Sequence, residues 1–165
     1  MKGYYLRFYR VVKTLMLALV FTEVAHAAVF EPGDEFSVQV NVHNVHYDHD
    51  QDHLRYSPLI GAEWRRKSGW LYGGALFINS FRQFSQTVYV GHLWDLGDSG
   101  FYIKLVAGVI HGYVGRSKDK VALNYGGFFP AIMPGIGYRI GNVGRIETQF
   151  FGMNGLMVTA GIAFH

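Results

Sequence analysis

Asn79 and Ser80 stand side by side between two runs rich in aromatic and β-branched residues. These are Trp70-Leu-Tyr-Gly-Gly-Ala-Leu-Phe-Ile78 and, after a polar tip at 79–85, Gln86-Thr-Val-Tyr-Val-Gly-His-Leu-Trp94. The pattern predicts two strands folded back on each other. By itself a serine at a strand end is a turn residue. It becomes a reactive hydroxyl when a histidine from another segment removes or orients its proton. A neighbouring Asn can hold that imidazole or donate to a developing oxyanion. His43 and His46, at the end of an earlier alternating run, are the candidate partners.

The elements that must position these residues are strands. Hydrophobicity comes in blocks of about ten residues separated by polar or Gly-containing turns, the pattern of a membrane β-barrel. Eight blocks are expected: Glu35–His46, Pro58–Arg66, Trp70–Asn79, Gln86–Leu96, Phe101–Tyr113, Gly127–Ile140, Val143–Gly152 and Leu156–Phe164. In the first, Phe36, Val38, Val40 and Val42 share one face; Ser37, Gln39, Asn41 and His43 share the other. Closure is the only way for strands to satisfy their backbone within lipid, so the fold class read here is all-β, an eight-stranded antiparallel transmembrane β-barrel.

Connection lengths orient it. Lys67-Ser-Gly69, Gly97-Asp-Ser99 and Gly141-Asn142 are tight turns expected at the periplasmic end, whereas 47–57 and 114–126 are longer and face outward. His46, Asn79, Ser80, His111 and Tyr113 then converge on the external rim. Eight strands leave a lumen wide enough for side chains or one slender ligand, which argues against a passive porin.

Composition agrees. Of 165 residues, 50% are hydrophobic and only 16% charged, below the usual quarter of a soluble domain. With no cysteine, disulfides and thiolate chemistry are excluded, and a net charge of +3 without a basic stripe excludes a nucleic-acid partner. Lys2, Arg7, Arg10 and Lys13 precede the apolar run Leu15–Phe21, and Ala25-His-Ala27 supplies a cleavage pattern. Residues 1–27 read as a signal peptide and 28–165 as the barrel domain.

Two further features invite chemistry. Three Asp and two His between Asp48 and His53 could hold a divalent cation, but a solvated loop beside a phosphate-rich surface explains them as well, so no metal is assigned. Pro130 and Pro134 fall inside the sixth strand, where each removes a ladder donor. A bulge or kink is one explanation; a lateral opening that admits a lipid chain is the other. In the third long loop, His111-Gly-Tyr113 and Lys118-Asp-Lys120 read as headgroup contacts or loop packing.

From about residue 43 to 164 the chain resembles the outer-membrane lipid A palmitoyltransferases (the PagP family), in particular their divergent pseudomonad-like branch. The matching pieces are Gly69-Trp-Leu-Tyr-Gly73, Asn79-Ser-Phe81, Val88-Tyr-Val-Gly-His-Leu-Trp-Asp95, Phe101-Tyr-Ile-Lys-Leu105, His111-Gly-Tyr113, Pro130-Ala-Ile-Met-Pro-Gly-Ile-Gly-Tyr138 and Met157-Val-Thr-Ala-Gly161. The resemblance implies transfer of a palmitoyl or similar chain from a phospholipid donor to lipid A of lipopolysaccharide in the bacterial outer membrane, by a monomer without metal or organic cofactor. It implies a catalytic set of His46, Asn79 and Ser80, with Asn79 where the better-known branch has Asp.

Spacing within the resemblance favours His46, which a bulge at the strand end would turn inward; simple alternation favours His43. Gly91, twelve residues after Asn79, matches the family glycine that leaves room for the acyl terminus, although a glycine easing barrel curvature fits equally. Pro130 and Pro134 match positions where weakened pairing admits lipid sideways. No amphipathic helix is legible in 28–34, unlike in the better-known branch, and His165 follows the expected terminal aromatic, Phe164. The rivals are a non-enzymatic barrel, whose lumen would be filled by interlocking polar side chains, and a lipid A deacylase, for which no His-x-Ser motif is present.

Overall fold

The computed structural model describes residues 30–47 (of His46 only the backbone), 54, 56–152 and 155–165. The chain divides into two units, Met1–Pro32 and Gly33–His165. The expected signal peptide, 1–27, and the Asp and His residues of the first loop, 48–53, lie outside the described residues.

The second unit is a closed antiparallel barrel of β1 (Glu35–His46), β2 (Leu59–Arg65), β3 (Trp70–Ile78), β4 (Phe84–Asp95), β5 (Phe101–His111), β6 (Phe128–Ile140), β7 (Gly144–Phe150) and β8 (Gly155–Phe164). Every strand pairs with its neighbours in sequence, and β1 closes on β8 from Phe36 opposite Phe164 to His46 opposite Gly155. The eight expected blocks therefore hold, with no end moved by more than two residues. Alternation is the cause: on β5, Tyr102, Lys104 and Val106 are buried while Phe101, Ile103 and Leu105 are exposed. Exposed Val40, Leu76, Val88, Val90, Leu105 and Ile136 make an apolar exterior, with Phe36, Trp70, Trp94, Phe101, Tyr138 and Phe164 banded towards one end.

That end carries the tight turns. Gly69 (φ 91°) and Gly141 (φ 61°) supply left-handed positions there at no steric cost. Asp34 braces the β2–β3 turn, accepting from Trp64 Nε1 at 3.1 Å and from the Lys67 amide at 3.0 Å. The long connections emerge at the opposite, loop end, where a single 3-10 stretch, Gly115–Lys120, interrupts the β5–β6 connection.

Two ladders stop short of the loop end. β1–β2 pairing ends at Val40 opposite Ile60, and β6–β7 pairing ends at Gly135 opposite Gln149, although β6 continues seven residues further, back to Phe128, on its β5 side. On β1 a bulge between Asn41 and His43 shifts the register against β8.

Candidate active site at the loop end of the lumen

Polar and charged side chains fill the half of the lumen nearest the turns. Lys104 Nζ lies 2.8 Å from Glu63 Oε1 and 2.5 Å from Glu147 Oε1, with its side chain fully buried. Tyr89 donates its hydroxyl to Glu63 (2.7 Å), Tyr102 to Glu147 (3.1 Å), and Gln149 donates its amide to Glu147 (2.6 Å). Arg145 pairs with Glu35 below them. Leu71, Leu93, Tyr102, Val106 and Met133 pack around this network. Buried charges persist in such a place only when paired and hydrogen-bonded, as Lys104, Glu63 and Glu147 are.

Above the network the lumen opens into a cavity of about 550 Å³, within the range that holds one small amphiphile. Its walls include Leu59, Phe77, Ile110, Phe129, Met133, Leu156 and Met157; its floor is Gln39, Thr87, Tyr89, Gln149 and Thr159. Pro130 and Ile132, on the outward face of β6, also line it, together with Phe151 and Gly152 from the β7–β8 tip. The cavity thus reaches the outer surface where the β6–β7 ladder stops.

The prolines sit on that edge. Gly127 accepts from Gly112, and Arg139 donates to Gly100, so odd-numbered β6 residues point their backbone groups at β5. The uninterrupted register passes this parity along β6. Even-numbered residues, Pro130 and Pro134 among them, face β7. Each proline removes a donor from the stretch that has no partner strand, which lowers the cost of an open seam in lipid. Of the two explanations weighed for these prolines, an interior kink does not fit, since β5–β6 pairing runs through both positions.

Asn79 is committed to the loop beside it. Its Oδ1 accepts from the amides of Phe81 (2.9 Å) and Gln83 (3.1 Å), and its Nδ2 donates to Ser85 Oγ (3.1 Å) and the Gly112 carbonyl (3.4 Å). The residue is 1% exposed. These bonds build the β3–β4 tip, in which Arg82 takes a left-handed φ of 61°. Ser80 stands on that tip and lines the cavity, half-buried. Asn79→Asp keeps the acceptor but loses the donor to Ser85 and Gly112. It is expected to cost about 1–3 kcal/mol, read as a lower urea midpoint of the barrel refolded in phospholipid vesicles.

The histidines separate. The bulge leaves His43 exposed, opposite Val158, and brings Asn44, opposite Met157, to the cavity instead. The alternation that favoured His43 is corrected by this one extra residue. His46 closes β1 opposite Gly155, which lines the cavity. His111 stacks on Phe128 with ring centroids 4.2 Å apart. Tyr113 packs between Phe81 and Phe129, and burial pushes its phenol up.

Gly91 requires a larger correction. It lies one lumen position beyond Tyr89 and does not line the cavity. A Cβ there would collide with the Leu105 carbonyl and stand 2.6 Å from Val106 Cγ1. Close approach of β5, not room for a ligand, requires this glycine.

Sequence reasoning passed over Lys104, Glu63, Glu147, Tyr89 and Gln39. A signal existed for Lys104: it is the charged member of the Tyr102–Val106 face, opposite the apolar Phe101–Leu105 face. Also unforeseen was the strap over the open end of the β1–β2 seam. There Asn41 donates to the Ser57 carbonyl (2.6 Å), Tyr56 donates to the Asn41 carbonyl (2.7 Å), and the Ser57 amide donates to Asn44 (3.1 Å).

No family model and no curated protein matches the chain. Among solved structures it is similar to a de novo designed transmembrane β-barrel, at 15% identity over 81% of this chain and 96% of that one, with a TM-score of 0.55. A designed barrel solved in solution by NMR gives 13% identity over 80% and 91%, with a TM-score of 0.48. Neisserial surface protein A gives 12% over 79% and 94%, with a TM-score of 0.38. The first likeness establishes the fold: this chain is a barrel of the transmembrane kind.

Proposed function

We propose that this chain is an outer-membrane lipid A acyltransferase, which moves a fatty acyl chain from a phospholipid to lipid A. The observation that carries the reading is the apolar-walled cavity of about 550 Å³ that opens sideways where β6 leaves β7, with Ser80 on its rim. An eight-stranded barrel needs no such space, since side chains suffice to fill it. A bilayer lipid can place one chain in the cavity through the seam while its headgroup stays at the interface.

In this reading the tight-turn end faces the periplasm and the loop end faces the outer leaflet. The acceptor hydroxyl attacks the donor ester carbonyl, and His46 takes its proton as the new carbon–oxygen bond forms. The tetrahedral intermediate collapses, the ester bond to glycerol breaks, and the proton returns to the departing lysophospholipid. Ser80 orients the acceptor or donates to the oxyanion. Asn79, with both side-chain polar atoms engaged by the loop, positions Ser80. Pro130 and Pro134 keep the seam open, and Gly91 drops out of the substrate site.

The turn-end half of the lumen favours a second reading. Its interlocked Glu63, Lys104, Glu147, Tyr89 and Tyr102 are what a non-enzymatic barrel would present throughout. One experiment separates the two. Lipid A from cells expressing the wild-type chain is compared by mass spectrometry with lipid A from cells expressing Ser80→Ala. The expected result is a species heavier by one acyl chain, lost in the variant. An unchanged profile from a barrel shown to be folded in the outer membrane returns the chain to the structural reading, and a lighter species to a deacylase.

A further inference from the structure

The β5–β6 connection holds the two most open apolar side chains among the described residues. Leu123 and Tyr125 are 79% and 78% exposed. Neither is a loose end. Asn124, between them, donates to the Tyr113 carbonyl at 2.8 Å and accepts from the Gly127 amide at 2.9 Å. Tyr125 and Phe128 exchange both backbone hydrogen bonds, at 2.8 and 3.1 Å, across Gly126 and Gly127, whose φ angles are 62° and 90°. At the start of the loop, the Gln83 side-chain amide donates to the Val114 carbonyl at 3.0 Å and accepts from its amide at 3.2 Å. Leu123 itself takes a left-handed φ of 57°. That region suits glycine or asparagine, and a leucine has no polar side chain to compensate for the strain.

The hairpin sets where this surface points. Opposed residues of an antiparallel pair share a face, so Tyr125 stands with Phe128. Phe128 belongs with Pro130 and Ile132 to the outward face of β6, where Ile132 is 70% exposed. His111, stacked on Phe128, and Phe84, 61% exposed, carry the same rim around β5 and β4. Tyr125 therefore prolongs the lipid-facing exterior past the last bonds of the barrel. Charge completes the pattern. Arg116, Lys118 and Lys120 lie exposed on the 3-10 stretch, and none forms an ion pair with another described residue. Asp119 is the sole acid in 114–126.

An apolar tip beside unpaired cations suits a bilayer interface, with apolar groups among the acyl chains and cations at the phosphates. We infer that the β5–β6 loop is a membrane-docking element. Leu123 and Tyr125 enter the lipid leaflet around the loop end, and Arg116, Lys118 and Lys120 pair with its headgroup phosphates. The inference does not rest on the acyltransferase reading. Lys120, Val121 and Ala122 also line the cavity, so the docked loop ties this part of the cavity wall to the leaflet.

The chain has no cysteine, so a single introduced thiol reports on the tip. The full chain carrying Leu123→Cys is placed, one barrel per disc, in nanodiscs of phosphatidylcholine with or without phosphatidylglycerol. Its reaction with a membrane-impermeant maleimide is timed against Asp98→Cys, at an exposed position of the β4–β5 turn. In the anionic discs the Leu123→Cys thiol should react slower than the Asp98→Cys thiol by roughly tenfold or more. A fluorophore attached to it should be quenched by lipids that carry a nitroxide near the ester. Adding Arg116→Gln/Lys118→Gln/Lys120→Gln should speed the reaction by about fivefold or more, since one cation at an anionic surface contributes roughly fivefold. Tyr125→Cys reports on the same surface if Leu123→Cys does not fold. A tip thiol that reacts as fast as the Asp98→Cys thiol in both discs overturns the inference. Protection without nitroxide quenching also overturns it, because the tip has then folded onto the barrel. Protection indifferent to phosphatidylglycerol and to the three Gln substitutions overturns the pairing with phosphates.

Discussion

Lys104→Met is expected to destabilise the barrel by about 3–5 kcal/mol, the cost of breaking a buried ion pair from one side. The lysine is fully buried and its ammonium is shared by Glu63 and Glu147, whose side chains are each 5% exposed. Without it, two carboxylates face each other across one section of lumen. The hydroxyls of Tyr89 and Tyr102 would still donate to them, but a neutral donor does not offset a like-charge pair in low dielectric. Urea titration of the barrel refolded in phospholipid vesicles, followed by the shift in gel mobility between folded and unfolded forms, measures the loss. Converting the whole triad, with Glu63→Gln and Glu147→Gln added, should recover most of it, because the repulsion goes with the charges. A loss below 1 kcal/mol for Lys104→Met alone would show that water enters the lumen and screens the carboxylates.

The same triad shows why the fold was legible in the sequence and the site only partly. Strand identity is local: a period of two and tight turns at Gly69 and Gly141 are visible within ten residues, and closure follows because lipid leaves no edge unpaired. Lys104, by contrast, meets partners 41 and 43 positions away, Glu63 and Glu147, which only the completed register brings together. His43 failed for a related reason. One residue bulged between Asn41 and His43 reverses the face of everything after it, and nothing in Gln39-Val-Asn-Val-His43 marks where the extra residue falls. Gly91 was misread because spacing along β4 gives its height in the barrel but not whether a larger side chain closes the lumen above it. Tyr89 does, two residues earlier. Asn79 and Ser80 were found by chemistry and spacing, but that Asn79 is consumed by its own turn depends on where the amides of Phe81 and Gln83 point.

Restoring the missing donors in β6 should close the seam. One further step of the β6–β7 register past Gly135 opposite Gln149 sets position 134 against Phe150. By the parity of the ladder, an amide at 134 would point at Phe150. In Pro130→Val/Pro134→Val both positions regain a donor and gain a β-branched side chain suited to a strand. The ladder bond regained at 134 contributes about 0.5–1.5 kcal/mol, and since every 1.4 kcal/mol is tenfold, the open fraction of the seam should fall by roughly two- to tenfold. Two measurements bear on this. The variant should unfold at higher urea than the wild type, and amide exchange at Ile132 should slow. If the cavity is served through the seam, acyl transfer in the lipid A assay should drop by the same factor, although no group near Ser80 has been touched. A variant that is stabilised yet transfers at the wild-type rate would place lipid access elsewhere. The strapped β1–β2 edge, where Asn41, Asn44 and Tyr56 replace the ladder with side chains that can swing aside, would then be the next place to lock.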